Sequence, residues 1–402
     1  MLIENSLSLL NNKKITTHLH LFFLSAIVLS AMLRLEDVAR ELLKINLYIS
    51  APTLIWHFYH KHHSLVSQCL KLAILPASLI LLSYLATGEF RYKGYSKNLI
   101  LAYGLLVSVI MLFEHHKEVV TSACSIYIKC ILLIYTAAQL IALLVYSLPY
   151  GTTTNPHFLA IYSAICFLIS IFYLFKTKTN TRYLYLFNSL ITLAIVLYTS
   201  SRPTWIGLIL SAGFCIHHVS KKNWLKFIAI FIGLQALLLS INPFNYRNLL
   251  YELIKHITTE ERTVIWADTW VMQKTSEPLN WVMGHGISSF YKDFQPFSRI
   301  HHIQDIKSPH NLLLEVLYTS GVVGILLVGL MYFFLYRHWL STRTQYIQHS
   351  KLSTLILMIM TTSLMLNGLN FPFCSSSNIY LTAMITGLLV IVKSDKPNSN
   401  KN

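Results

Sequence analysis

Arg202, Arg262 and His310 are the side chains of this sequence whose type and setting could carry a reaction at an anion. Arg202, in Tyr198-Thr-Ser-Ser-Arg-Pro-Thr-Trp205, falls between two apolar stretches with almost no loop. Ser201 suits the N-cap of the following helix and Pro203 its first turn. A guanidinium beside the free N–H groups of a helix start makes an anion site, and arginine grips phosphate oxygens with two parallel donors. His310, in Ser308-Pro-His-Asn-Leu-Leu-Leu-Glu315, reads in the same way. Ser308 is the expected N-cap, Pro309 the first-turn proline, and His310 a residue of the first turn. The positive end of a helix disfavours an imidazolium, and a neutral ring is what a general base requires. Asn311 and Glu315, four apart, share a helix face. Glu315 lies just inside the apolar stretch, where a carboxylate is costly unless it pairs or works. Arg262, in Glu260-Glu-Arg-Thr-Val-Ile-Trp266, also reads as a surface arginine paired with its acidic neighbours. Plain alternatives stand beside the other two: an interfacial arginine snorkelling to headgroups, and a headgroup-level histidine without a role.

The elements that must position these residues are membrane helices. Of 402 residues, 54% are hydrophobic and 12% charged, and the mean hydropathy is +0.53. A soluble domain is about 25% charged, so this chain has too little polar surface for water. Apolar stretches recur at 19–33, 42–58, 72–87, 98–113, 122–147, 157–175, 183–201, 203–219, 226–241, 315–336, 352–370 and 378–393. The expected fold is all-α: a polytopic bundle of about 12 transmembrane helices with one long helical loop on the outer side. The expected divisions are about nine N-terminal membrane helices over 1–241, the loop over 242–314, and about three more helices with a tail over 315–402. With both termini inside, the short inner segments carry 18 Lys and Arg against 7 in the short outer ones. This asymmetry places Arg202 and the long loop outside and accounts for the net charge of +16. The first stretch, after Lys13 and Lys14, reads as an uncleaved helix. The loop holds seven of the 16 acidic residues. Tyr246–His256 and Arg262–Lys274 read as amphipathic helices, and Gly284 and Gly286 break the chain after them. So apolar a loop should lie on the bundle like a lid.

Other chemistries find little support. The six cysteines form no C-x-x-C pair and read as small apolar residues. His60, His62, His63, His115, His116, His301 and His302 have no carboxylate or thiol at ligand spacing, so no metal site is expected. There is no Walker motif for a nucleotide, and no basic run interleaved with aromatics for nucleic acid.

The motifs, taken in order, resemble a known family. They are Ser201-Arg-Pro-Thr-Trp205 at a helix junction, Arg262-x-x-x-Trp266, Gly284-His-Gly286, Pro309-His-Asn311 and Ser320-Gly-Val-Val-Gly324. Over about residues 195–335 the chain is similar to the O-antigen ligases, with the related O-antigen polymerases and protein O-oligosaccharyltransferases. Pro203 and Thr204 depart from the family, which often has Gly and a small residue there. The resemblance implies a bacterial inner-membrane enzyme with a periplasmic active site. It would move a glycan from an undecaprenyl-pyrophosphate carrier to a sugar of lipid A–core, in an inverting transfer without metal or other cofactor. It further implies His310 as the base, Arg202 and Arg262 as pyrophosphate ligands, and Asn311, Glu315, Trp205 and Trp266 as acceptor or supporting residues. Its partners would be the lipid-linked donor, the lipid A–core acceptor and membrane lipid. The alternatives are a polymerase using the same carrier and, in a different class, a lipid or glycan transporter. Against the transporter, little ionisable material lies mid-span, Lys129 being the main exception.

Overall fold

A computed structural model describes residues 13–59, 63–88, 95–216 (154, 178 and 200 apart), parts of 229–251, 261–298 (288 apart), 306, 308–343 and parts of 355–386. Within them the chain forms helices and turns, with no strand. The helices are α1 (Lys13–Met32), α2 (Glu36–Tyr59), α3 (His63–Thr87), α4 (Tyr95–Leu140), α5 (Pro156–Lys176), α6 (Thr181–Tyr198), α7 (Arg202–Ile216), α8 (Glu261–Lys274), α9 (Pro278–Met283), α10 (Phe290–Phe294) and α11 (Leu312–Arg343). Among the described residues five segments are long and apolar enough to cross a membrane: Cys69–Thr87, Cys124–Val145, Pro156–Phe175, Thr181–Tyr198 and Leu312–Phe334. The stretches expected at 226–241, 352–370 and 378–393 lie partly outside the described residues, as does most of Tyr246–His256.

One expected break is absent. The stretches 98–113 and 122–147 were expected to flank an inner loop at 114–129, but α4 runs through it as continuous helix. Residues 114–129 contain neither Gly nor Pro. Glu, His, Lys and Ala all tolerate a helix interior, so polarity alone does not end one. Where α4 does end, it passes into a π-helical turn at Ile141–Val145 and a short 3-10 turn at Gly151–Thr153.

The centre of the bundle is α5, whose span is 72% buried, the most enclosed of the five. Its start is set locally: Asn155 accepts the His157 N–H at 2.9 Å, and Pro156 opens the first turn. A short loop returns the chain into α6, and the two helices pack against each other around Tyr162, Ile165, Tyr185, Leu193 and Val196. Asn188 of α6 donates to Ser170 of α5 at 2.7 Å and accepts from Thr136 of α4. Such polar contacts between apolar helices add specificity that lipid-like packing lacks. A second apolar cluster joins α1, α2, α3 and α4 through Ile27, Leu43, Leu79 and Leu105.

The described helices between α7 and α11 pack against α11 and α3. The inner face of α8 contributes Ile265 and Met272 to a cluster with Phe290, Phe294, Ile306 and Tyr318, the last belonging to α11. A second tie depends on glycine. Helix α11 is interrupted at Gly321, at φ 64° and ψ −166°. The carbonyls of Tyr318 and Thr319, just before the break, accept the N–H groups of His285 and Gly286 at 2.8 and 3.0 Å. The sequence motifs Gly284-His-Gly286 and Ser320-Gly321 are thus two halves of one joint. His285 completes it: its ring stacks on Tyr318 at 4.1 Å, Nδ1 donates to the Tyr318 carbonyl at 3.1 Å, and Nε2 lies 2.9 Å from the Ser276 hydroxyl.

Alanine at Gly284 should break this joint. Gly284 has φ 80°, and an added Cβ would fall 2.3 Å from the Ser320 nitrogen, which is backbone and cannot move aside. Backbone strain of this kind alone costs about 1–3 kcal/mol. Gly284→Ala is therefore expected to lower the thermal midpoint in detergent clearly. Gly329→Ala, where an added Cβ meets nothing within 4 Å, should leave it in place.

Candidate functional site

The site is built from four helix or loop starts that meet around one histidine. His157 stands in the first turn of α5. Its Nε2 lies 2.8 Å from Nη2 of Arg262 on α8, and its Nδ1 lies 3.2 Å from the Ser201 hydroxyl at the start of α7. A guanidinium only donates, so Nε2 must accept and Nδ1 carries the proton toward Ser201. The His157 ring is therefore neutral in this arrangement. Ser201 in turn accepts from Thr204 at 2.9 Å. Ser201, Pro203 and Thr204 are buried, while Arg202 is half-buried among them as the first residue of α7. The helix thus starts at the residue after Ser201, as the sequence suggested, with Arg202 as its first residue.

Helix α8 ties in the fourth start. Arg262 and Trp266, four apart, share one face. While Arg262 reaches His157, the Trp266 indole N–H donates to the Pro309 carbonyl at 2.9 Å. That bond fixes the residue before His310, and His310 lies within electrostatic reach of the His157 ring. Arg262 and His310 are thus brought together by two contacts from adjacent turns of one helix. Arg262 is half-buried and bonded to a histidine, while Glu260 and the side chain of Glu261 lie outside the described residues.

His310 itself departs from the expected register. It was expected in the first turn of the helix, capped by Ser308. In the structure α11 begins at Leu312, and Asn311 is the cap: its side-chain oxygen accepts the N–H groups of Leu313 at 3.0 Å and Leu314 at 3.2 Å. An Asn one residue before the helix out-competes a more distant Ser because its oxygen reaches both free donors. His310 is left just outside the helix, with φ 51°, its N–H 3.4 Å from Ser308 Oγ. A non-glycine residue in this left-handed region is uncommon and marks a backbone held by its surroundings.

The supporting residues divide. Trp205 donates from its indole to the Val196 carbonyl at 3.2 Å and pins the first turn of α7 to the last of α6. Trp266 positions the His310 loop. The Asn311 side chain is engaged as a cap. Glu315 is buried on the inner face of α11, 6% exposed, so its carboxyl sits in protein and not in lipid. His157 was not among the residues singled out from the sequence, yet a signal for it exists. Asn155-Pro156-His157 repeats the pattern of Ser308-Pro309-His310: a small polar residue, proline, then histidine ahead of an apolar stretch.

Residues 187–329, a little over a third of the chain, match a family described as O-antigen ligase. The match contains every motif on which the resemblance rested, from Arg202 to Gly324; His157 lies before it. No curated protein matches the chain.

Proposed function

From residues 187–329, which carry the O-antigen ligase match, we propose that this membrane glycosyltransferase ligates a lipid-linked O-antigen glycan to lipid A–core. The observation that carries the reading is helix α8, which places Arg262 on His157 and Trp266 on the carbonyl before His310, with Arg202 one residue from Ser201, the other partner of His157. A donor with a polyprenyl pyrophosphate leaving group brings its own bond energy, so no nucleotide is needed. When the anomeric C–O bond breaks, the electron pair goes to the pyrophosphate, which gains negative charge. Arg262 and Arg202 stabilise that charge at a partly shielded rim, where fixed donors count for more than in water. The acceptor hydroxyl attacks from the opposite face and loses its proton to His310. His157 keeps the Arg262 guanidinium aimed. The loop position of His310, outside the helix, leaves its ring in reach of an acceptor entering from the membrane surface.

The break in α11 bears on the transporter alternative. A discontinuous helix offers a midplane ion site when its backbone groups are free. Here the carbonyls of Tyr318 and Thr319 are occupied by the N–H groups of His285 and Gly286.

The test is transfer in vitro from a defined undecaprenyl-pyrophosphate glycan to lipid A–core, in detergent, with EDTA present. Appearance of glycan on lipid A–core supports ligation. Growth of glycan on the carrier alone would mean a polymerase, and no transfer without a sealed compartment would turn the reading toward transport. In the same assay His157→Phe, which keeps ring volume but removes the acceptor, should lose about 1.5–3 kcal/mol of charge-assisted hydrogen bonding. The expected fall in transfer is about ten- to a hundredfold, with a lower thermal midpoint as well, because the same bond ties α5 to α8.

A further inference from the structure

We propose that α9 is a re-entrant element whose outward face lies in the hydrocarbon of the leaflet on the site's side. The loop would then be anchored in lipid as well as lying over the bundle. The first support is depth. The end of α9 abuts Gly321, where an added Cβ would fall 2.2 Å from the Val282 oxygen and 2.7 Å from the Met283 nitrogen. Gly321 belongs to the membrane-crossing segment Leu312–Phe334. Nine residues of helix from Leu312 put it about 13 Å below the outer end of that span, in a hydrocarbon core of about 30 Å. The chain leaving α9 meets a second span. Ile287 N–H donates to Ser83 at 2.9 Å, and Gly286 lies against Thr87, both in Cys69–Thr87.

The second support is the character of the outward face. Leu279 is 61% and Val282 49% exposed. Val322 and Leu326, in the α11 span itself, are exposed as well. Trp281 of α9 meets Trp270 of α8 edge to face at 5.7 Å, and the Lys274 ammonium lies 5.7 Å from the Trp270 ring. Tryptophan at the headgroup level with a snorkelling lysine is the pattern of an interfacial anchor. The third support is backbone accounting. Non-helical chain survives at membrane depth only when its polar groups are satisfied by protein. The N–H groups of Asn280, Trp281, Gly284, His285 and Gly286 all find carbonyls at 2.8–3.3 Å, and that of Ile287 finds Ser83.

The experiment places p-benzoyl-phenylalanine at Leu279 or Val282 of the full chain, reconstituted in nanodiscs of phosphatidylethanolamine and phosphatidylglycerol. Irradiation is followed by peptide mass spectrometry, with exposed Lys292 of α10 as the reference position. The expected result is phospholipid adducts at both positions, several-fold above those at Lys292. Adducts no more frequent than at Lys292, or crosslinks to a second copy of the chain, would overturn the proposal. Should the probe at Val282 prevent folding, the more exposed Leu279 decides alone. The readout needs no transfer assay, so it stands apart from the proposed reaction.

Discussion

His310→Ala is expected to lower glycan transfer about 10²–10⁴-fold, the usual contribution of a positioned general base. The protein should still insert and keep its thermal midpoint, because the His310 side chain has no part in capping α11. That role belongs to Asn311, whose oxygen accepts from Leu313 and Leu314. Quantifying lipid A–core product against time, at matched amounts of purified enzyme, gives the ratio directly. A variant with wild-type turnover would remove the base assignment and leave His310 as a residue held at φ 51° for some other reason. Asn311→Ala makes the contrast: it should reduce stability by about 1 kcal/mol through the lost cap, and affect transfer only as far as the His310 loop loosens.

Arg262→Ala is expected to reduce transfer about 10²–10³-fold, the range seen when one donor to a developing negative charge is removed. The effect should be larger than the loss at His157, since His157 acts only through Arg262. Arg262→Lys should also be poor. An ammonium has no planar fork, and it cannot both donate to His157 Nε2 and hold two phosphate oxygens in a fixed plane. Arg202→Lys should fall for the same geometric reason, with the helix start of α7 intact because Ser201 and Pro203 are untouched. Steady-state rates at varied donor concentration separate the two roles. Loss in KM alone would make the arginines ground-state ligands of the carrier. Loss in kcat marks charge stabilisation as the bond breaks. Wild-type rates in Arg262→Ala would leave the proposed centre without its main cation.

How the site was and was not legible is clearest at three places. The start of α7 was readable because cap, proline and arginine are neighbours, and helix starts obey local rules. The start of α11 was misread by a few residues, because Ser308 and Asn311 are both good caps and only packing decides between them. His157 went unread although its cap-proline-histidine pattern matches that around His310; its partner Arg262 is 105 residues away, and nothing local announces the pair. The same limit hid the joint at Gly321. Two glycine-bearing motifs were visible, but not that one supplies the N–H groups that occupy the carbonyls before the other.

By itself the sequence determined the helical, membrane-embedded class, the approximate positions of the apolar stretches, and the presence of two arginines and a histidine at polar junctions. These follow from composition, from runs of apolar residues and from capping, all of which act over a few residues along the chain. Only the tertiary structure decided that α5 is the enclosed helix bringing His157 under Arg262, that Trp266 holds the His310 loop, and that α9 closes a broken span. Those outcomes depend on which helices pack together. Helices sharing an apolar solvent are selected by small residues and buried hydrogen bonds between distant segments, a code that hydropathy does not contain.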